Sequence, residues 1–380
     1  MKILFAALPG YGHVYPLMPL AEACADTGHE VVVATGDPFL DRLPVPTVAG
    51  IEPGCDISTA MARTPRFHPD ARGFEFGTAL FADVAARLVM PTLLSELERW
   101  KPELVVYEST NIGAGVLAEV LGIPAVMYGI GLHEPFIPKL NAAATSFQAD
   151  EWTQRSLPLP TADTLLAQAY LDPFPPGLQP GGLGADRIAI RQVPWNEART
   201  PVVVRPSTNR PLIWVTLGTV VNGSEVLRLI SAGLAALDVD VVVSLGPDRD
   251  PGELGPVAAN VQVERFVASE QMMRLAQVIV HHGGSGTLLG ALAYGIPQLV
   301  LPYTPDQSEN GEALAAAGAG CVMNVPELSP DAVAQAACRL LRHGPERVAA
   351  GRLCDELRLM PDPPEVVPLL EKLAARSLVP

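Results

Sequence analysis

Apolar positions along this chain follow two spacings. Short, nearly unbroken apolar runs stand at 2–8 (KILFAAL), 30–35 (EVVVAT), 104–107 (LVVY) and 125–128 (AVMY), and again at 212–217 (LIWVTL), 241–245 (VVVSL), 261–263, 278–281 (VIVH) and 298–301 (QLVL). Runs this short and this rich in β-branched residues predict strands covered on both faces, as in a parallel sheet. Between them, 17–27 (LMPLAEACADT), 113–121, 224–237 and 288–294 carry apolar residues at helical spacing. Strand and helix alternate in each half, and each half opens with a strand running into a glycine turn, at 9–13 (PGYGH) and at Gly218-Thr219. The expectation is α/β: two Rossmann-like domains facing each other across a cleft, with ligands outside the carboxyl ends of the strands. From Leu157 to Pro211 prolines recur and periodicity weakens, which reads as a linker region. The tail 363–375 (PPEVVPLLEKLAA) predicts a final amphipathic helix.

Composition narrows the class. The 380 residues are 48% hydrophobic and 18% charged, so the chain is an ordered globular protein long enough for two or three domains. With 26 Lys+Arg against 41 Asp+Glu, the net charge of −15 disfavours broad attraction to nucleic acid or an anionic membrane. Five scattered cysteines without a C-x-x-C pair suggest neither a disulfide framework nor a zinc site. The opening MKILFAALPGYGHVYP has too short an apolar region for a signal peptide, and no membrane span is expected, so a cytoplasmic location is.

The chemistry gathers at strand ends. His281-His282-Gly283-Gly284-Ser285-Gly286-Thr287 follows an apolar strand and precedes a helix-compatible run. Glycines let backbone N–H groups approach a phosphate, a helix N-terminus adds partial positive charge, and His282 and Thr287 add side-chain donors. The spacing is neither that of a dinucleotide fingerprint nor of a Walker loop, so a diphosphate cradle is expected, weighed against a plain glycine turn with a structural histidine pair. Asp306 and Gln307, on the loop 301–310 (LPYTPDQSEN), offer an acceptor and an amide suited to sugar hydroxyls; alone they would be a solvated turn. His13, after the first strand, suits proton removal from a hydroxyl, and Glu108, at the end of strand 104–107, could hold its tautomer. Acceptor recognition falls to 67–81 and 129–147, where Phe67, Phe74, Phe76, Phe81, Phe136, Phe147 and His133 make aromatic walls for a flat apolar molecule, or else ordinary core. His68, His29 and His343 are expected to be exposed. Asp238-x-Asp240 and Asp248-x-Asp250 could be metal-binding pairs but read better as strand ends and turns, so no metal ligands are assigned.

Gly10-Tyr11-Gly12-His13-Val14-Tyr15-Pro16, HHGGSGT at 281–287, LP-x-x-x-DQ-x-x-N at 301–310 and TLGT at 216–219 together resemble the GT-B inverting nucleotide-sugar glycosyltransferases of family 1, in particular bacterial enzymes of antibiotic and other natural-product biosynthesis. The resemblance spans nearly the whole chain. It implies an N-terminal acceptor domain (1–205), a C-terminal donor domain (206–362) and a last helix (363–380) that crosses back onto the N-terminal domain. It further implies that His13 is the general base, supported by a carboxylate that is usually Asp and is here Glu108. Thr219, His282 and Thr287, with the backbone of Gly283 and Gly286, would bind the donor diphosphate, Asp306 and Gln307 the sugar, and Phe266 and Val267 would lie near the nucleobase. There Phe266 replaces the Trp of the plant signature and Ala268-Ser269 its Pro-Gln. The implied reaction moves a sugar, a deoxysugar in particular, from a dTDP- or UDP-linked donor to a small hydrophobic aglycone, with inversion and without metal or cofactor. Nucleotide-sugar and aglycone are the expected partners, with a homodimer left open. Two alternatives stay open: a GT-B enzyme of cell-wall lipid intermediates, and an inactive nucleotide-sugar-binding partner protein.

Overall fold

The computed structural model describes residues 1–161, 164–179, 187–195, 210–218, 224–246 and 249–376. They divide into two compact units, one of residues 1–174, 187–195 and 360–376, the other of 175–179 and 210–359.

The first unit is built on β1 (Lys2–Ala6), β2 (Glu30–Thr35), β3 (Thr47–Ala49), β4 (Leu104–Glu108), β5 (Ala125–Tyr128), β6 (Ala169–Asp172) and β7 (Arg187–Ala189). They form one parallel sheet in the order β3-β2-β1-β4-β5-β6-β7. Along β1 the side chains alternate between two cores, Leu4 and Ala6 into one and Ile3 and Phe5 into the other. That is why the strand reads as an unbroken apolar run rather than an alternating one.

One core is roofed by a helical run from Gly73 to Trp100, regular at Gly73–Ala79 and Ala86–Trp100 with a π-helical segment, Leu80–Ala85, between them. The run is long and apolar enough to cross a membrane. Its apolar side chains, Leu80, Val84, Leu88, Val89, Leu93 and Leu97, are instead buried in the unit's own core. The helix Pro363–Arg376 packs on Met18–Asp26, placing Val366, Val367, Leu370 and Leu373 in the other core with Met18, Ala21 and Cys24. The expected return of the last helix to the N-terminal half is thus observed.

The second unit holds β8 (Leu212–Thr216), β9 (Asp240–Ser244), β10 (Val261–Glu264), β11 (Ala276–His281), β12 (Gln298–Val300) and β13 (Gly320–Val322). This sheet is also parallel, in the order β10-β9-β8-β11-β12-β13. Of the acidic pairs, Asp238 is 93% exposed beside Arg210, Asp250 caps the turn Pro251–Leu254 through the Gly252 N–H at 2.9 Å, and Asp248 lies outside the described residues.

Several local expectations are corrected. The proline-rich stretch contains β6 and β7, which extend the first sheet. Four and three residues long and flanked by prolines, they offer too little periodicity to be read. The aromatic segments 67–81 and 129–147, to which the sequence assigned no element, are largely helical: Phe67 ends the helix Ile57–Phe67, Phe74 lies in Gly73–Ala79, and Phe136 opens Phe136–Phe147. Asp306 and Gln307 stand in the first turn of the helix Pro305–Ala316 rather than on a loop.

Because Leu370 is fully buried in a core that, apart from the last helix itself, is made of residues from the first 190 positions, Leu370→Ala is expected to cost about 2–5 kcal/mol of unfolding free energy in urea titration. An unchanged midpoint would show that the last helix is not part of that core.

Candidate active site

In a doubly wound parallel sheet the crevice for ligands opens where the strand order reverses, outside the carboxyl ends. In the first unit that point lies between β1 and β4, paired in register from Ile3↔Leu104 to Ala6↔Tyr107. His13 follows β1 on the helical turn Tyr11–Val14, and Glu108 is the last residue of β4. The structure brings them together: His13 Nδ1 lies 3.1 Å from Glu108 Oε1, with side-chain exposures of 17% and 0%. Gly10 permits the approach, since a Cβ there would sit 2.9 Å from the His13 ring. Glu108 is held further by the Thr110 N–H, donating to Oε2 at 2.7 Å, and by the Thr110 hydroxyl. Thr110 was not singled out by sequence; its signal is the E-x-T spacing at a strand end.

From His13 a run of rings leads outward. Phe81 lies 6.3 Å from His13 and 6.4 Å from Phe136, and Phe136 meets Phe74 edge to face at 5.2 Å. Phe81 is carried by the π-helical segment, and Lys139 Nζ sits 4.8 Å over the Phe74 ring. Beyond Phe74 an open groove of about 820 Å³ is lined by Phe67, His68, Glu75, Lys139 and Phe147, with Phe67 63% exposed. His133 is not part of this run. It stacks edge-on against Tyr170 at 4.7 Å and contacts Glu134, and burial and the Arg187 charge hold its pKa below the usual histidine value. His68, expected to be exposed, bonds the buried Asp83 at 2.8 Å. His29 likewise lies 3.2 Å from Glu371 with only 9% of its side chain exposed.

In the second unit the order reverses between β8 and β11, and Thr216 pairs with His281 at their carboxyl ends. The two histidines of the motif take different roles. His281 is fully buried: its Nε2–H donates to Gln298 Oε1 at 2.8 Å, and its Nδ1 accepts from the Gly283 N–H at 3.1 Å. Burial pushes its pKa down to about 3, so it is a neutral hinge pin for the turn. Gly283, at φ +95°, also has its carbonyl bonded by Asn310 Nδ2 at 2.9 Å. The expectation that the Gly283 N–H faces a phosphate is therefore corrected: that donor points inward, and the residue serves the turn.

His282 stands where Gly218 and Gly284 leave room for its ring; a Cβ would come within 2.7 Å of the ring at Gly218 and 2.5 Å at Gly284. Its Nδ1 is buried and makes no hydrogen bond of normal geometry among the described residues. Burial lowers its pKa, against the opposing pull of the Asp306 carboxylate and a contact with the Thr216 backbone. The helix Ser285–Ala293 begins beside it, and its first intrahelical bond runs from Leu288 N–H to Gly284 C=O. The N–H groups of Ser285, Gly286 and Thr287 precede that bond, at the positive end of the helix dipole.

Asp306 is exposed, and Gln307 turns its Oε1 back to the Tyr303 N–H at 2.9 Å, leaving its amide N–H₂ to donate. Next to them the Tyr303 hydroxyl and Thr304 Oγ1 are buried with no hydrogen-bond partner among the described residues. Phe266 is half-buried, whereas the Val267 side chain faces the core with Trp214 and Met272, so only its backbone could face a base. Thr219 lies outside the described residues.

With His281 neutral in the fold and titrating near 6.5 when unfolded, the unfolded state binds the extra proton between about pH 6.5 and 3. Stability is thus expected to fall as pH drops through that window, by up to about 1.4 kcal/mol per pH unit from this group. His281→Gln should lower stability at pH 7 and flatten the acid slope in urea titrations. An unaltered slope would show that His281 is not held neutral.

The chain matches the family described as erythromycin biosynthesis protein CIII-like, by its N-terminal domain over residues 22–218 and its C-terminal domain over 228–373. It is 32% identical to the L-demethylnoviosyl transferase of Streptomyces niveus over the full length of both chains. Among solved structures it is similar to the glycosyltransferase SnogD from Streptomyces nogalater, with 29% identity, a TM-score of 0.81, and 98% of this chain and 99% of that chain covered. It is also similar to SsfS6 of Streptomyces sp. SF2575 complexed with thymidine diphosphate, with 26% identity, a TM-score of 0.79 and the same coverage. With both halves matched, two parallel sheets reversing at the glycine turns and full-length likeness to these enzymes, the chain belongs to the erythromycin biosynthesis protein CIII-like family and is a GT-B glycosyltransferase.

Proposed function

We propose that this glycosyltransferase moves a deoxysugar from a dTDP-linked donor to a small hydrophobic natural-product aglycone by a single displacement with inversion. The observation that carries this reading is the His13–Glu108 pair at the switch point of the first sheet, with aromatic rings leading away from it. Nδ1–H held by the carboxylate leaves Nε2 free to take a proton from an acceptor hydroxyl as its oxygen attacks the anomeric carbon. Phe81, Phe136 and Phe74 offer apolar faces to a flat aglycone, and Phe67 lies in the outer groove.

The donor would sit at the second unit's switch point. His282 and the N–H groups of Ser285, Gly286 and Thr287, with the Thr287 hydroxyl, would stabilise the leaving diphosphate, supplying there the positive potential that a divalent cation supplies in other transferases. Asp306 and the Gln307 amide would hold sugar hydroxyls. The thymidine diphosphate bound to SsfS6 favours dTDP over UDP.

Calorimetry with dTDP and UDP in EDTA is expected to show metal-independent binding of dTDP, weakened about tenfold or more by Thr287→Ala and by His282→Gln. Because burial lowers the His282 pKa and a diphosphate would raise it, dTDP binding near pH 6 should take up a proton. That uptake is read from the dependence of the heat on buffer ionisation, and His282→Gln should abolish it; its persistence would place the proton elsewhere. His13→Ala should abolish transfer to alcohol acceptors in a panel of aromatic polyketide aglycones while dTDP affinity is kept. Equal loss of both would assign His13 a structural role.

A further inference from the structure

The Glu108 carboxylate is fully buried at the end of β4. A buried carboxylate is tolerated where donors surround it. Those observed are the Leu8 N–H at 3.4 Å, the Thr110 N–H at 2.7 Å, the His13 ring at 3.1 Å and the Thr110 hydroxyl, 3.0 Å from Oε1 and 2.8 Å from Oε2. Thr110 thus provides two of the four donors. It can do so because the chain turns at once after the strand, with Asn111 N–H bonding Glu108 C=O at 2.8 Å, which folds Thr110 back over the side chain two residues before it. The same hydroxyl lies 3.1 Å from His13 Nδ1, the atom that Glu108 also meets.

A hydroxyl has one proton to give. The bond to a charged carboxylate oxygen is the stronger choice, so toward His13 the Thr110 oxygen is an acceptor. Nδ1 must then carry the hydrogen, shared between Glu108 Oε1 and Thr110 Oγ1, and Nε2 keeps its lone pair. Glu has one more side-chain torsion than the Asp usual in the enzymes this chain resembles, and bonds from Thr110 to both carboxylate oxygens remove that freedom.

We propose that Thr110 is a positioning residue of the proton-removing pair: its hydroxyl and N–H clamp the Glu108 carboxylate, and its oxygen holds His13 in the Nδ1–H tautomer. This rests on the reading of His13 as the base, and the test separates the two. Long-range ¹H–¹⁵N correlation spectra of histidine-labelled protein report tautomer and titration for each of the seven histidines without any acceptor, and His13→Gln identifies the His13 signals. The wild type is expected to show His13 with Nδ1 protonated and Nε2 free. Thr110→Val should give a mixture of tautomers and displace the His13 midpoint by about half a unit or more, Thr110→Ser should restore both, and dTDP affinity should stay unchanged throughout. With an accepting aglycone in hand, Thr110→Val is expected to lower kcat about tenfold to a hundredfold at constant donor KM. Thr110→Ala serves if the valine variant does not fold. A wild-type His13 protonated at Nε2 would remove the base reading, and this inference with it. An Nδ1–H tautomer and midpoint unmoved by losing the hydroxyl would overturn this inference alone.

Discussion

Each of the two candidate sites depends on one constraint, the parallel pairing of two strands that are far apart in sequence at the point where its sheet reverses its order. In the first unit β1 meets β4 about a hundred residues later, and in the second β8 meets β11. Parallel neighbours end together at the same edge. The residue that closes one strand and the turn that follows the other are therefore delivered to one crevice, and helices on either side leave that crevice open. His13 with Glu108, and His282 with Gly218, are the products of these two registers.

The two sites treat burial in opposite ways. Glu108 is buried as a hydrogen-bonded carboxylate and is kept acceptable by the groups around it, the Leu8 and Thr110 N–H, the Thr110 hydroxyl and the His13 ring. His281 is buried as a neutral group, with both ring nitrogens used and its amide partner Gln298 tied onward to the Leu288 carbonyl. In the proposed reaction the first arrangement holds the base, whereas the second fixes a backbone turn. By drawing the Gly283 N–H inward, His281 forces the turn that presents the next three residues at a helix N-terminus. Of two adjacent histidines in one motif, His281 is thus scaffold, and His282 keeps a buried Nδ1 without a hydrogen-bond partner among the described residues.

Glycine has a correspondingly narrow purpose. Gly218 and Gly284 flank the His282 ring so closely that any Cβ would displace it, and Gly283 takes a left-handed conformation needed by the turn. On the other unit the Gly73–Trp100 run serves two masters through its π-helical segment, which aims Phe81 at His13 while Asp83 pairs with His68 and Arg87. An apolar helix of that length is a core element here because its apolar stripe meets a sheet of the same unit.

What the sequence by itself determined was the α/β class, two sheets opening with glycine turns and a last amphipathic helix, and it singled out His13, Glu108, His282, Thr287, Asp306 and Gln307 as candidates. Each is written in local pattern: unbroken apolar runs, helical spacing, and polar groups placed just after strands; the return of the last helix came from the family resemblance. The short strands Ala169–Asp172 and Arg187–Ala189 were not legible, because three or four residues between prolines have no period and are strands only through their neighbours. Only the tertiary structure decided that Thr110 joins His13 to Glu108, that His133 belongs with Tyr170, and that His68 is paired. It alone gave the two adjacent histidines different surroundings and turned the Gly283 N–H onto His281. These are matters of which side chain faces which across segments distant in the chain, and spacing along one segment does not encode the partner it will meet when strands from elsewhere arrive beside it.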